Sequence, residues 1–375
     1  MESATYCCAV AAAGAPWGTA CPAAGSVRRV ARVEGGRGRD GGEVPVVDVG
    51  ALVDEGAGDD DALAAGRAID AACREVGFFS VVGHGVDPGL LARLDRHARE
   101  FFALPETEKA EVAMPLAGRA WRGWFPLGGE LTSGAPDLKE GLYFGAELPA
   151  DHPRVLDGTP LHGPNLFPAR PAALRDDVLA YMAEMERVGQ AVLSGMALAL
   201  GLGRRWFAEH LTGDPTVLFR IFRYPPSAGD AGPRWGVGEH TDYGLVTVLA
   251  QDDRGGLQVK APQGWVEVPP RPGSLVCNLG DMLERLTGGR YRSTPHRVRN
   301  VSGADRLSFP FFLDPSWDAA VEPLPIAEQP SDDAALRWDN TSVHEVTGTY
   351  GDYLTAKTAK VFPGLAGETP SPTTG

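Results

Sequence analysis

The chain has 375 residues, of which 43% are hydrophobic and 22% are charged, as is ordinary for a globular protein with a sizeable core. Its 35 basic and 49 acidic residues give a formal net charge of −14, which argues against nucleic acid or an anionic membrane surface as a partner. No run of about 18 apolar residues is present, so the sequence predicts no transmembrane helix.

Residues 1–43 differ in composition from the rest of the chain. They are rich in Ala, Gly and Arg and show no periodicity, so we predict a disordered extension. A secretion signal is disfavoured, because Glu2 is the first charged residue and no basic residue precedes Arg28. The five cysteines form no CxxC pair and no zinc spacing. We therefore expect a reduced, cytoplasmic protein.

The first ordered elements are predicted between residues 44 and 102. Residues 44–52 (VPVVDVGAL) predict a short strand, and apolar residues at helical spacing over 60–77 predict a helix. Residues 78–85 (FFSVVGHG) predict a second strand. Asp87 and Pro88 are the residue types preferred as the cap and first residue of a helix, so another helix is expected to begin there.

The second half of the chain changes from helical to strand-like patterns. Apolar residues recur with a period of 3.6 over residues 171–200, which predicts one long helix. From Thr216 onward short apolar runs alternate with Gly, Pro and Asp, which is typical of an antiparallel sandwich or barrel. The stretches APQGW and DDRGG predict hairpin turns. A last helix is predicted at about residues 350–361.

His240 and Asp242 stand two residues apart beside an apolar, β-branched run. Residues i and i+2 of an extended chain point to the same face, so the two side chains form half a metal site. His296 begins another strand pattern 56 residues later and is the best candidate for a third ligand. Two histidines and one carboxylate would form the facial triad of non-haem Fe(II) oxygenases. The alternative is a surface histidine beside a turn aspartate.

Arg306 and Ser308 repeat the i, i+2 spacing within the apolar run RLSFPFF. An arginine can bind a carboxylate bidentately, and a serine hydroxyl adds a donor. A buried arginine without an anion would be costly. The sequence therefore predicts a carboxylate-binding pair, with a structural salt bridge to an aspartate such as Asp314 as the alternative.

Taken together, these segments resemble a known family. The runs GEHTDYGLVTVLAQDDRGGLQV, PGSLVCNLGDMLERLTGGRYRSTPHRV and RLSFPFFLDP are similar to the isopenicillin N synthase-like family of Fe(II)- and 2-oxoglutarate-dependent oxygenases. The runs VPVVDVGAL and REVGFFSVVGHGVDP resemble the leading domain of that family. The likeness covers about residues 44–365. It implies a mainly β fold with flanking helices, in which a double-stranded β-helix (jelly roll) core follows an α/β N-terminal domain.

The resemblance also implies a division of the chain and roles for its residues. The expected parts are the extension 1–43, an N-terminal dioxygenase domain 44–155, a connecting segment with the long helix 156–215, the β-helix domain 216–345, and a C-terminal helix and tail 346–375. By resemblance, His240, Asp242 and His296 bind iron, and Tyr224, Arg306 and Ser308 bind 2-oxoglutarate. Many plant members of the family carry Asn where this chain has Phe222.

The implied activity is oxidation of an unactivated C–H bond of a small molecule, by hydroxylation or desaturation, with Fe(II), 2-oxoglutarate and O2, ascorbate as a stimulant, and release of succinate and CO2. A family oxidase that does not use 2-oxoglutarate and a catalytically retired jelly-roll binding protein remain alternatives. Secondary metabolites, amino acids, pyrimidines and aromatic compounds all remain open as substrates, and the oligomeric state is not determined.

Four residues are candidates for the substrate pocket. Phe312 matches a family position that often faces substrate. Trp121, Arg122 and Trp124 lie in the Gly-rich stretch AWRGWFPLGGE of the N-terminal region, which in this family often covers the mouth of the barrel. The alternative for these three is ordinary packing between the two domains.

Overall fold

A computed structural model describes residues 44–54, 56–132, 134–226, 235–327, 342 and 347–361, with the side chains of 360 and 361 left out. The predicted disordered extension 1–43 and the tail after residue 361 lie outside the described residues. Among the helices of the described ranges, none has the length and hydropathy needed to cross a bilayer.

The strands of the described ranges are β1 (Val46–Asp48), β2 (Phe78–Val82), β3 (Gly123–Phe125), β4 (Glu140–Gly145), β5 (Pro215–Tyr224), β6 (Val237–His240), β7 (Val246–Gln251), β8 (Leu257–Ala261), β9 (Gly264–Glu267), β10 (Leu275–Leu279), β11 (His296–Val298) and β12 (Arg306–Ser316). The α-helices there are α1 (Gly50–Val53), α2 (Asp59–Glu75), α3 (Pro88–Phe102), α4 (Glu106–Lys109), α5 (Pro153–Leu156), α6 (Leu174–Ala199), α7 (Trp206–His210), α8 (Asp281–Leu286) and α9 (Tyr350–Val361).

The strands form two sheets that face each other. An eight-stranded sheet has the order β1-β2-β10-β7-β12-β5-β4-β3, and a four-stranded sheet has the order β6-β11-β8-β9. All pairs except β1 with β2 are antiparallel, as expected for a β sandwich. The fold is the predicted one, with a jelly-roll core and flanking helices.

Strands from the first 155 residues extend the larger sheet at both edges. β2 pairs with β10 at one edge, and β4 pairs with β5 at the other. The part of the chain that precedes the long helix therefore shares hydrogen bonds with the core sheet on two sides. The predicted division into separate domains stays a prediction.

Most predicted elements are present, with differences at their ends. The predicted strand 44–52 is only three residues long, because the chain turns into α1 immediately after β1. The carboxylate of Asp87 accepts hydrogen bonds from the amides of Gly89 and Leu90, which confirms Asp87 as the cap of α3. The long helix and the last helix are confirmed as α6 and α9.

One of the two predicted hairpins is wrong. The APQGW stretch does join the paired strands β8 and β9. DDRGG instead connects β7 to β8, which lie in different sheets. Its residues anchor the start of β12, since the Asp252 carboxylate accepts the amide of Leu307 at 2.7 Å. A turn pattern in the sequence does not distinguish a hairpin turn from a loop that connects strands of different sheets.

α6 supports the larger sheet from outside. It packs against α2, β7 and β12. The hydroxyl of buried Tyr181 donates to the Phe309 carbonyl at 2.7 Å. Gly66 of α2 and Gly195 of α6 permit a close approach, because a Cβ on Gly66 would lie 2.5 Å from the Gly195 carbonyl oxygen. The outward face of β12 is therefore fixed, and its inward face lines the cavity described next.

Candidate metal centre and its cavity

The structure brings His240, Asp242 and His296 together at one end of the space between the sheets. His240 ends β6 and is paired directly with His296, the first residue of β11. The Asp242 Oδ1 atom lies 3.9 Å from His240 Nε2 and 3.7 Å from His296 Nε2. One ligand atom from each of the three residues lies within 4.8 Å of the others. This spacing suits a single shared metal ion.

Both imidazoles are oriented by the backbone. His240 Nδ1 lies 2.9 Å from the Gly238 carbonyl oxygen, and His296 Nδ1 lies 3.2 Å from that of Thr294. A carbonyl can only accept, so the ring hydrogen of each neutral histidine is on Nδ1. The Nε2 lone pairs are therefore free to face Asp242. This is the usual arrangement behind a metal-bound histidine.

The two oxygen atoms of the Asp242 carboxylate have different contacts. Its Oδ2 atom accepts hydrogen bonds from Thr247 Oγ1 at 2.5 Å and from Asn278 Nδ2 at 2.7 Å. Its Oδ1 atom is the one that faces the histidines. Burial alone would raise the pKa of Asp242, but the two histidines and the two hydrogen bonds lower it overall. The carboxylate is therefore ionised and can act as a ligand through one oxygen.

His240 is held in its neutral form. Burial, followed by the neighbouring His296, lowers the pKa of His240 to about 3, and the attraction of Asp242 offsets this only in part. Two neutral imidazoles and one carboxylate form a donor set for a divalent first-row metal with several positions left open. The donor set fits iron.

A second group of polar side chains lies on the facing strands β5 and β12. Arg306 is paired with Tyr224 in the sheet, and the hydroxyl of Ser308 donates to that of Tyr224 at 3.3 Å. Arg306 donates from Nε to the Gly255 carbonyl and from Nη2 to Gln251 Oε1 at 3.1 Å. Its Nη1 atom is buried and has no hydrogen-bond partner in the part of the chain that the structure describes.

The predicted alternative for Arg306, a salt bridge to Asp314, is not what forms. Asp314 accepts hydrogen bonds from the Tyr350 hydroxyl and the Leu245 amide instead. A fully buried guanidinium with one free edge beside two hydroxyl groups is a site that a carboxylate would complete. The residues present thus fit the far carboxylate of 2-oxoglutarate.

Comparison with known proteins agrees with this geometry. Residues 44–170 match the family described as non-haem dioxygenase in morphine synthesis N-terminal, and residues 215–315 match the 2OG-Fe(II) oxygenase superfamily. A probable iron/ascorbate oxidoreductase of Dictyostelium discoideum is 46% identical over 323 residues, which are 80% of this chain and 89% of the relative. The chain belongs to the 2OG-Fe(II) oxygenase superfamily.

Two further relatives in this superfamily carry names that specify a substrate. A 1-aminocyclopropane-1-carboxylate oxidase of Dictyostelium mucoroides is 34% identical over 360 residues, 86% of this chain and 95% of the relative. A homoarginine-6-hydroxylase of Arabidopsis thaliana is 38% identical over 267 residues, 70% of this chain and 80% of the relative. As a superfamily member, the chain is an oxidoreductase of small molecules, and its family implies Fe(II), 2-oxoglutarate and O2.

The substrate residues predicted for this superfamily member separate into two groups. Phe312 lines the same cavity as the three candidate ligands. Trp121, Arg122 and Trp124 are buried elsewhere and do not line it. The Trp124 indole donates to Glu140 Oε2 at 2.9 Å, and Arg122 donates to the Leu161 and Ala146 carbonyls at 3.0 and 2.8 Å. Packing between N-terminal segments accounts for these three side chains, and our proposal does not include them.

Sequence reasoning missed several residues of the cavity. Arg220, Tyr143, Lys139 and Glu130 line it as well. Arg220 could have been found, because it shares the face of β5 that carries Tyr224, four residues later in an apolar strand. The other three come from β4 and the loop before it, where the sequence offers no comparable pattern.

Proposed function

We propose that this chain is a 2-oxoglutarate-dependent hydroxylase or desaturase in which His240, Asp242 and His296 hold Fe(II). Tyr224, Arg306 and Ser308 bind the far carboxylate of 2-oxoglutarate. The observation that carries the proposal is the pairing of a preoriented ligand set with a buried, unpartnered Arg306 Nη1 in one cavity. Phe312 would contact substrate on the same strand face as Ser308.

The reactive chemistry belongs to the bound groups, which together couple reduction of O2 to decarboxylation of 2-oxoglutarate and oxidation of a substrate C–H bond. The chain itself orients the metal ligands and the cosubstrate. Gly238 and Thr294 carbonyls fix the two imidazoles, while Thr247 and Asn278 fix the carboxylate of Asp242. Arg306 fixes the position of the cosubstrate by charge and geometry. Apolar side chains such as Phe78, which packs edge-on against His296 at 5.1 Å, limit water around the ligands.

A family oxidase that does not use 2-oxoglutarate is the second candidate function. The similarity to an enzyme named 1-aminocyclopropane-1-carboxylate oxidase favours it, and a substrate carboxylate could occupy Arg306 and Ser308. A retired binding protein is disfavoured, because all three candidate ligands and the groups that orient them are in place.

The deciding experiment is succinate formation from 2-oxoglutarate in air with Fe(II) and ascorbate, compared between the wild-type chain and Asp242→Ala. Slow formation without added substrate is expected for the wild type and a loss for the variant. Iron binding without succinate, with or without candidate substrates, would favour the oxidase. Failure of the purified chain to bind iron would overturn the assigned ligand roles.

Amino acids are the substrate class to test first, because two relatives are named for homoarginine and 1-aminocyclopropane-1-carboxylate. We also propose a cytoplasmic location, which the buried free thiols of Cys73 and Cys277 support. Separate measurements would test these two points: stimulation of succinate formation by amino acids, and fractionation of cells that express the chain.

A further inference from the structure

A second guanidinium faces the cavity at the end away from Arg306. Arg220 lies on β5, on the face shared by Tyr224 and Phe222. Four residues of strand separate it from Tyr224, or roughly 13 Å at the usual rise per residue. Its Cζ atom lies 3.6 Å from the centroid of the Tyr143 ring and 5.8 Å from that of Phe312. The guanidinium is thus held between two aromatic rings.

Arg220 has no carboxylate partner among the described residues. Its Nη1 atom donates to the Phe144 and Phe219 carbonyls at 3.3 Å each, and the Tyr143 side chain is a further polar neighbour. The other cavity cation, Lys139, differs, because its Nζ atom pairs with Glu130 at 2.7 Å and with Asp137 at 3.1 Å. Of these two cations, Arg220 is therefore the one whose charge is left for a ligand.

Burial of the Arg220 guanidinium costs free energy as long as no anion pairs with it. Only 9% of the surface of Arg220 is exposed, and burial lowers its pKa, with partial compensation from Tyr143 and Glu130. A desolvated guanidinium gains most from a charge-assisted, bidentate partner. Such a partner would be substrate rather than 2-oxoglutarate, because Arg306 already offers the free edge for the cosubstrate at the opposite end.

We propose that Arg220 binds the carboxylate of a zwitterionic substrate, such as an α-amino acid, and thereby determines substrate specificity. This inference rests on the proposed function. Two acidic residues, Glu130 and Asp314, line the same cavity and act electrostatically on Arg220. An ammonium group on the same molecule would be attracted by Glu130, and also by Asp314 once the pH exceeds the raised pKa of that carboxyl, about 7.

The test uses the purified full chain with Fe(II) and 2-oxoglutarate, and a panel of the twenty standard L-amino acids, L-homoarginine and 1-aminocyclopropane-1-carboxylate. Each is compared with its methyl ester, which removes the negative charge, and its N-acetyl derivative, which removes the positive charge. Stimulation of succinate formation is measured. We expect at least one free amino acid to stimulate, and at least about a tenfold higher half-maximal concentration for both of its derivatives.

The variants R220Q and R220K then assign the effect to this side chain. R220Q is expected to raise the KM of the stimulating amino acid by about tenfold or more and to remove the preference over its ester. R220K should retain part of that preference. The matched control is R223Q, on the opposite face of β5, where Arg223 pairs with Glu140 and Asp305 outside the cavity. Loss of those pairs can lower stability, but R223Q should keep the preference for the free acid.

An independent readout separates failure of this inference from failure of the proposed function. The anaerobic visible absorption of the iron–2-oxoglutarate complex reports cofactor binding without turnover, and R220Q that folds should still develop it. If wild type forms this complex but no panel member stimulates, or acid and ester act equally, the role of Arg220 is refuted. If wild type does not form the complex, the proposed function itself fails.

Discussion

The two ends of the cavity are built differently. At the metal end, each candidate ligand is held by its own partner: a carbonyl for each imidazole, and Thr247 with Asn278 for Asp242. At the substrate end, Arg220 is held along one edge by backbone carbonyls and is flanked by aromatic rings. The first end offers a metal ion three oriented side chains, and the second offers an anion a buried guanidinium.

The two ends also differ in how far apart along the chain their interacting residues are. The metal end includes short-range backbone contacts, from Gly238 to His240 within β6 and from Thr294 to His296 at the start of β11. The substrate end is assembled from β4, β5, β12 and the loop that carries Glu130. The metal end also needs distant segments, since Thr247 on β7 and Asn278 on β10 hold Asp242, but its two imidazoles are oriented by residues two positions away.

Substitution of a candidate metal ligand is expected to have the largest effect. Asp242→Ala removes the only anionic candidate ligand and leaves two histidines, so iron affinity should fall by about two orders of magnitude or more. Iron content after gel filtration and succinate formation measure this. Asp176→Ala is the matched control, because the Asp176 side chain is 86% exposed. Stoichiometric iron in the Asp242 variant would show that these residues do not form the metal site.

The second largest effect is expected from substitutions at the proposed 2-oxoglutarate site. Arg306→Gln removes the charge expected to bind 2-oxoglutarate, so its Kd should rise about 100-fold, or about 3 kcal/mol. Anaerobic titration of the iron complex measures the Kd. Iron content should be unchanged, because Arg306 contacts Gly255 and Gln251 rather than a candidate ligand. Arg306→Lys, with the charge retained, should lose less. An unchanged Kd in both variants would favour the oxidase alternative.

The sequence predicted the metal end more completely than the substrate end. The i, i+2 pairs His240 with Asp242 and Arg306 with Ser308 depend only on strand periodicity, which a single sequence displays. Phe312 was expected by resemblance to a family position, and it lies on the same strand face as Ser308. Trp121 and Trp124 are buried and do not line this cavity. Aromatic side chains in a loop fit packing as well as binding, and only tertiary structure separates the two.

Substitution of the residues that orient Asp242 is expected to have a smaller effect on iron affinity. Thr247→Val keeps the shape of the side chain but removes one hydrogen bond to Oδ2, and Asn278→Ala removes the other. Each variant should lower iron affinity about tenfold, because the carboxylate gains freedom to rotate. Competition of the metal-loaded protein with a chelator measures the affinity. Equal affinities in wild type and both variants would mean that the strand alone sets the orientation of Asp242.

The smallest expected effect is on the free energy of unfolding, and it comes from Asp314 at the substrate end. Burial raises the pKa of Asp314 to about 7 from the ordinary value of 3.8, with Tyr350 and Leu245 as its hydrogen-bond donors. The carboxyl is packed closely, because a Cβ on Gly244 would lie 1.4 Å from its Oδ1 atom. Between these two pKa values the folded chain keeps a proton that the unfolded chain has released. The contribution of Asp314 to stability is therefore lost as the pH rises from about 4 to 7.

Asp314→Asn removes this titration and keeps a group of similar size. Between pH 5 and pH 8, the metal-free wild-type chain should lose on the order of 1 kcal/mol more of its free energy of unfolding than the variant does. Urea unfolding at the two pH values, in the presence of a chelator, measures the difference. Parallel pH profiles would mean that Asp314 is ionised in the folded chain. In that case the substrate end would carry a fixed negative charge beside Arg220, and the preference for an ammonium group would not weaken at lower pH.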